Sequence, residues 1–232
     1  MGYSRKEEIA RLKRERKEAK AAKKRQENNR DQHIRFLIVC EGKKTEPHYF
    51  EALIERHSSA VREVKVEGEG MATVALVNQT VEIKKDLELK NATRFDRVWV
   101  VFDKDDFNDF NEAIGLAEKL GFLCAWTNEA FELWYLLHFY YLDTAIDRDA
   151  YIEKLRDAIR KQSGDDSFWY EKGSPNNYSI MQKYGNEHLA KRFAKRLREQ
   201  FSGTDYASHK PCTMIDILVE ELENPESLMT DK

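Results

Sequence analysis

Two short apolar runs, each stopped by a carboxylate, constrain this chain more than any other feature of it. Ile34-Arg-Phe-Leu-Ile-Val-Cys40 and Arg97-Val-Trp-Val-Val-Phe102 are apolar at nearly every position. A half-exposed strand alternates, whereas a strand that is apolar at successive positions must be covered on both faces, as the strands of a parallel sheet are. The first run ends at Glu41-Gly42 and the second at Asp103. Further strands are predicted at about 61–66 and 122–126. The intervening segments read as helices. One starts at Thr45, expected as its cap, with Glu46 and Pro47 in the first turn and Tyr49, Phe50, Leu53 and Ile54 as its apolar stripe. The others are expected at about 72–89, 110–120 and 131–141. Four strands alternating with helices imply crossover connections and an α/β fold, a parallel four-stranded sheet flanked by helices. Past Asp143 no strand is predicted. Helices are expected at about 149–161, 187–200 and 212–223, with a polar loop over 163–178 partly ordered by Phe168, Trp169 and Tyr170.

The formal charge of −3 conceals an asymmetry. Residues 1–30 hold 12 Lys and Arg against 5 Asp and Glu, which leaves 27 against 37 on the rest. The expected organisation is a basic helical arm (1–32, from a cap at Ser4), an α/β domain (33–143) and a helical annex completing the same globule (144–232). Lys and Arg clusters gain affinity for polyanions by releasing counterions, although the glutamates of the arm weaken that reading. No apolar run has the length of a bilayer span, the first residues lack the apolar core of a secretory signal, and a cytoplasmic protein is expected. Cys40, Cys124 and Cys212 form no C-x-x-C pair, which argues against a disulfide framework or a zinc knuckle.

Ligands of open parallel sheets bind beyond the carboxyl ends of the strands. Glu41 and Asp103 end two strands at that edge, and Asp105 follows two residues on. If the two strands are neighbours, the carboxylates lie close together. Unit charges 4 Å apart repel by about 4 kcal/mol at an effective dielectric near 20, so either one carboxyl stays protonated or a cation is present. The six histidines show no ligand spacing, and an all-oxygen set suits magnesium, or manganese in its place, rather than zinc.

Four motifs resemble those of the RloB-like family. They are Phe36-Leu-Ile-Val-Cys-Glu41-Gly42-Lys-Lys-Thr45-Glu46-Pro47-His-Tyr49-Phe50; Val98-Trp-Val-Val-Phe-Asp103-Lys-Asp105; Asn128-Glu-Ala-Phe131-Glu132-Leu-Trp134-Tyr-Leu-Leu-His138-Phe139; and Lys210-Pro-Cys-Thr213-Met-Ile-Asp-Ile-Leu218-Val-Glu-Glu221. The resemblance spans roughly 34–223 and implies a Toprim-like catalytic domain. It further implies that Glu41 acts as general acid/base while Asp103 and Asp105 hold Mg2+, in a nuclease cutting DNA or RNA. An anti-phage or restriction-linked setting, often with an ATPase partner, is implied by the same likeness.

Glu132 falls at the same sheet edge, either as a further metal ligand or as an acid favoured in a first helical turn. Glu46 is open in the same way. Lys43 and Lys44, beside Glu41, are candidates to neutralise the phosphate. Lys183, with Lys191, Arg192, Lys195, Arg196 and Arg198, forms a basic stretch that reads either as a charged face or as a surface tracking a nucleic-acid backbone. His138 reads as a packed residue. The turn Glu67-Gly-Glu-Gly70 is a weak phosphate site, because its glutamates repel the anion. Nucleic acid and an ATPase subunit are the expected partners; self-association stays open and no membrane is expected. The rival to a nuclease is a non-catalytic subunit that binds nucleic acid or the ATPase. A phosphatase of the haloacid-dehalogenase kind is disfavoured, since its Asp-x-Asp follows the first strand and here the motif follows the third.

Overall fold

A computed structural model of the chain describes residues 16–17, 34–57, 63–68, 73–104 and 108–229. The chain divides into two units, 1–33 and 34–232. Of the first, residues 16 and 17 are helical; the expected cap at Ser4 and the length of that helix lie outside the described residues.

In the second unit the order is β1 (Arg35–Cys40), α1 (Thr45–Arg56), β2 (Glu63–Gly68), α2 (Thr73–Asn91), β3 (Arg97–Asp103), α3 (Phe110–Lys119), β4 (Leu123–Asn128) and α4 (Glu132–Leu137). Then come α5 (Arg148–Ser163), α6 (Asn177–Tyr184), α7 (Glu187–Arg198), β5 (Cys212–Thr213) and α8 (Ile215–Glu223). Sheet order is β2-β1-β3-β4-β5. The first four strands are parallel, and β5 joins β4 antiparallel.

The two unbroken apolar runs are explained by two cores, one on each face of the sheet. Phe36, Ile38 and Cys40 of β1 and Trp99 and Val101 of β3 pack with Tyr49, Phe50 and Leu53 of α1 and with α4. Leu37 and Val39, with Val98, Val100 and Phe102, pack with Leu76 and Val77 of α2 and Ala113 and Ile114 of α3. Because successive side chains of a strand point to opposite faces, only a strand apolar throughout serves both cores. Cys40 is in the core, and burial pushes its thiol well up.

Several boundaries differ from expectation, for local reasons. Thr45 is already helical and buried; Lys44 occupies the cap, at φ −135°, and offers no side-chain hydrogen bond. The helix expected at 131–141 stops at Leu137, because the His138 carbonyl accepts from the Asn186 amide at 2.8 Å instead of continuing the helical ladder. Glu67 and Gly68 continue β2 rather than opening a turn; residues 69–70 lie outside the described set. Beyond Asp143 there is a strand after all. Two residues carry no periodicity to read, yet Thr213 is fixed by its hydroxyl 2.9 Å from that of Thr127 on β4. Helix α6 also begins where a loop is expected, and the last helix starts at Ile215 rather than 212. Among the described residues no helix is long and apolar enough to cross a membrane.

Candidate active site

β1 and β3 are adjacent and in register, Cys40 opposite Val101. The Glu41 amide extends the ladder one step, donating to the Val101 carbonyl at 2.8 Å. The chain then bends over residues 41–44 before α1 begins, which swings the Glu41 side chain across to β3. Glu41 Oε2 accepts from the Asp103 amide at 3.2 Å, and Asp103 Oδ2 accepts from the Phe131 amide at 3.2 Å, just ahead of α4. Two backbone N–H groups thus orient Glu41 and then Asp103.

Two more acids lie close to Asp103. Glu132, in the first turn of α4, is 0% exposed, and its Oε1 accepts from the Tyr170 hydroxyl at 3.1 Å. Glu46, in the first turn of α1, is 6% exposed. The outer oxygen of each, Glu132 Oε2 and Glu46 Oε2, is buried without a hydrogen-bond partner. Leaving a buried acceptor unsatisfied costs about 1–3 kcal/mol, more when it is charged. The nearest positive charges are Lys172, whose Nζ lies 3.8 Å from Glu132 Oε2, and Arg148, which donates to the Glu129 carbonyl at 3.3 Å.

The electrostatics follow from that crowding. Withdrawal from water, and then the charges of Glu46 and Glu132, hold Asp103 well above the ordinary carboxyl range, against partial relief from Arg148 and Lys172. Burial, followed by the charge of Glu132, raises Glu46 in the same way. Burial also raises the Tyr170 hydroxyl, which therefore stays a donor to Glu132. Above the site is a cleft of about 380 Å³ lined by Glu41, Gly42, Lys43, Lys44, Thr45, Glu46, Asp103, Arg148, Lys172 and Gly173. Larger hollows exist elsewhere, such as one of about 750 Å³ between α4, α5 and α7, but it gathers no such acids.

The potential metal donors gathered here are carboxylate oxygens, two of them buried without a hydrogen-bond partner. That donor set fits a hard divalent cation of the magnesium kind. Glu41 and Asp103 would hold it from the strand ends, with Glu46 and Glu132 behind. Among the described residues no group of three or more His, Cys, Asp or Glu is placed to hold a metal ion. Asp105 lies outside the described residues.

Against protein-family models, the RloB-like protein model matches residues 36–222. The chain belongs to the RloB-like family. No curated protein and no solved structure matches it. The matched span in this RloB-like chain contains every element from β1 to α8 except the first residue of β1 and the last of α8.

Of the remaining candidates, Lys43 and Lys44 line the cleft and are exposed. Lys183 does not line it. This lysine sits on α6 beside Glu55, Arg56 and Tyr178, with Nζ 4.8 Å from the centre of the Tyr184 ring. The basic stretch of α7 is largely engaged within the fold. Lys191 pairs with Glu187, Glu220 and Glu223, Arg198 with Asp216, and Arg196 stacks on Tyr141. His138 is packed, its Nδ1 2.9 Å from the Trp134 carbonyl, and burial pushes the imidazole down to about 4.

Sequence reasoning missed Arg148, Tyr170 and Lys172. All three come from the segment after Asp143, and the three aromatics of the 163–178 loop were the one available sign that it folds back onto the core.

Proposed function

We propose that this RloB-like chain is a magnesium-dependent nuclease with a Toprim-like catalytic domain, its centre built on Glu41, Asp103, Asp105 and Glu132, with Glu46 as an added member. The observation that carries the reading is the hydrogen bond from the Asp103 amide to Glu41 across neighbouring strand ends, in a cleft also lined by Lys43, Lys44, Arg148 and Lys172. Carboxylates gathered in one cleft gain from a divalent cation, which, when bound, polarises a phosphodiester and stabilises the leaving oxygen.

The remaining work falls to side chains of the chain itself. Lys43, Lys44, Arg148 and Lys172 draw the phosphate into the cleft and offset its charge. Glu41, oriented by the Asp103 amide, takes the proton of the attacking water. Tyr170 and Lys172 fix Glu132 in one orientation. Manganese would substitute for magnesium at an all-oxygen site. The family resemblance supports a role in anti-phage or restriction-linked defence, with an ATPase partner.

The test is incubation of the purified protein with plasmid, single-stranded DNA and total tRNA, in magnesium, manganese or EDTA. Cleavage is expected with either metal and not in EDTA. Glu41→Gln and Asp103→Asn each lower it by at least about 100-fold with unchanged circular dichroism. Cleavage that persists in EDTA, or that both variants retain in full, contradicts the proposal.

A further inference from the structure

Trp99, Trp126 and Trp134 are buried, whereas Trp169 is 67% exposed. A single exposed apolar side chain is ordinary on a protein surface, but three features set this one apart. Its segment is pinned: Arg160 Nε donates to the Phe168 carbonyl at 2.9 Å, Asn177 to the Glu171 carbonyl at 3.0 Å, and His48 Nδ1 to the Gly173 carbonyl at 2.9 Å. The indole is therefore held out in water by the fold. One face is loaded with a cation, the Arg156 guanidinium lying 3.9 Å from the ring centre, which orients the ring and leaves its other face open. Finally, the adjoining Tyr170 reaches Glu132, and Lys172, three residues on and hence at most about 11 Å away along the chain, lines the carboxylate cleft.

A flat aromatic face three residues along the chain from Lys172, which lines a cleft together with Lys43, Lys44 and Arg148, is an arrangement that takes an unpaired nucleobase. The cations follow the phosphates and the ring stacks one base, whatever its identity. In a duplex the same face would be offered only stacked, paired bases. We infer that Trp169, braced by Arg156, is a stacking platform selecting single-stranded nucleic acid, or an unpaired stretch of it, as the polymer led into the cleft. The inference rests on the carboxylate cleft being where a phosphodiester is cut, and it deepens that reading by naming the substrate class.

The experiment is a binding titration of the full chain in EDTA, read by tryptophan fluorescence and by anisotropy of labelled strands. The probes are oligo-dT, oligo-U and a blunt duplex of equal length. Either single strand should quench the exposed indole and bind more tightly than the duplex; the stronger of the two distinguishes DNA from RNA. Trp169→Ala should abolish the quench and weaken single-strand binding by roughly 5- to 100-fold, the range of one base–aromatic stack. Duplex binding should not change, and Trp169→Tyr should recover most of the loss. Equal binding of single strands by wild type and Trp169→Ala overturns the inference, as does an equal loss on single strand and duplex, or wild type that binds neither single strand. The two readings fail separately. Metal-dependent cleavage with an inert Trp169→Ala leaves the catalytic reading standing without this one. A Trp169-dependent single-strand affinity in a protein that cleaves nothing leaves this one standing without the catalytic reading.

Discussion

A Cβ at Gly42 would overlap the Glu46 carboxylate, with Oε2 of that residue the nearest atom. The glycine therefore admits the acid as well as ending β1. Nothing in the sequence separates a Glu46 that stabilises its helix from one that faces the site; the bend over 41–44 decides it, and that bend has no periodicity to read. Glu41 and Asp103, by contrast, were legible, because an abrupt end to an apolar run is visible in one dimension. Since the clashing atoms belong to a flexible side chain, Gly42→Ala should cost only about 1–3 kcal/mol of stability while displacing Glu46. Manganese affinity measured by calorimetry should fall about 10-fold or more, the scale on which lost support around a metal site is felt. An unchanged affinity would mean that Glu46 has no part in the centre.

Among the described residues β1, β3, α2, α3 and α5 lie close to the spans their patterns predict, and the departures are the short or conditional elements. β1 and β3 stand out because each must serve two cores. β5 is two residues long and exists because β4 offers it an edge; α4 ends early because Asn186 takes the His138 carbonyl. Both depend on residues more than 40 positions away, which no local window contains. The same limit applies to α7. Its basic residues look like a nucleic-acid face in sequence, but Arg198 donates to both oxygens of the nearly buried Asp216, at 2.5 and 2.7 Å, and to the Thr213 carbonyl at 2.8 Å. Removing one partner of such a pair strands a buried charge, so Arg198→Ala should lower stability in urea by about 3–5 kcal/mol, with nucleic-acid affinity of the folded protein little changed. The opposite pattern, unaltered stability with weakened binding, would return α7 to the interface.

For the molecule as a whole, the segment after Asp143 supplies Arg148, Tyr170 and Lys172 to a site whose acids come from residues 41–132. The boundary drawn at that point in sequence therefore runs through the candidate centre. The α/β class, the strand-end acids and the adjoining Lys43 and Lys44 follow from the sequence, whereas the other two cations of the cleft, Arg148 and Lys172, required the folded chain, since a basic residue in a polar segment has no signature of its own. Buried, crowded acids beside those cations lead to one claim, a divalent cation at Asp103 and Glu41. Anomalous diffraction from crystals soaked in manganese tests it most directly. A peak is expected about 2.1 Å from an Asp103 carboxylate oxygen, with Glu41 as its neighbour, displaced by excess magnesium and missing from Asp103→Asn crystals. A soaked crystal with no peak at that strand edge, or with manganese held only by other residues, would contradict it.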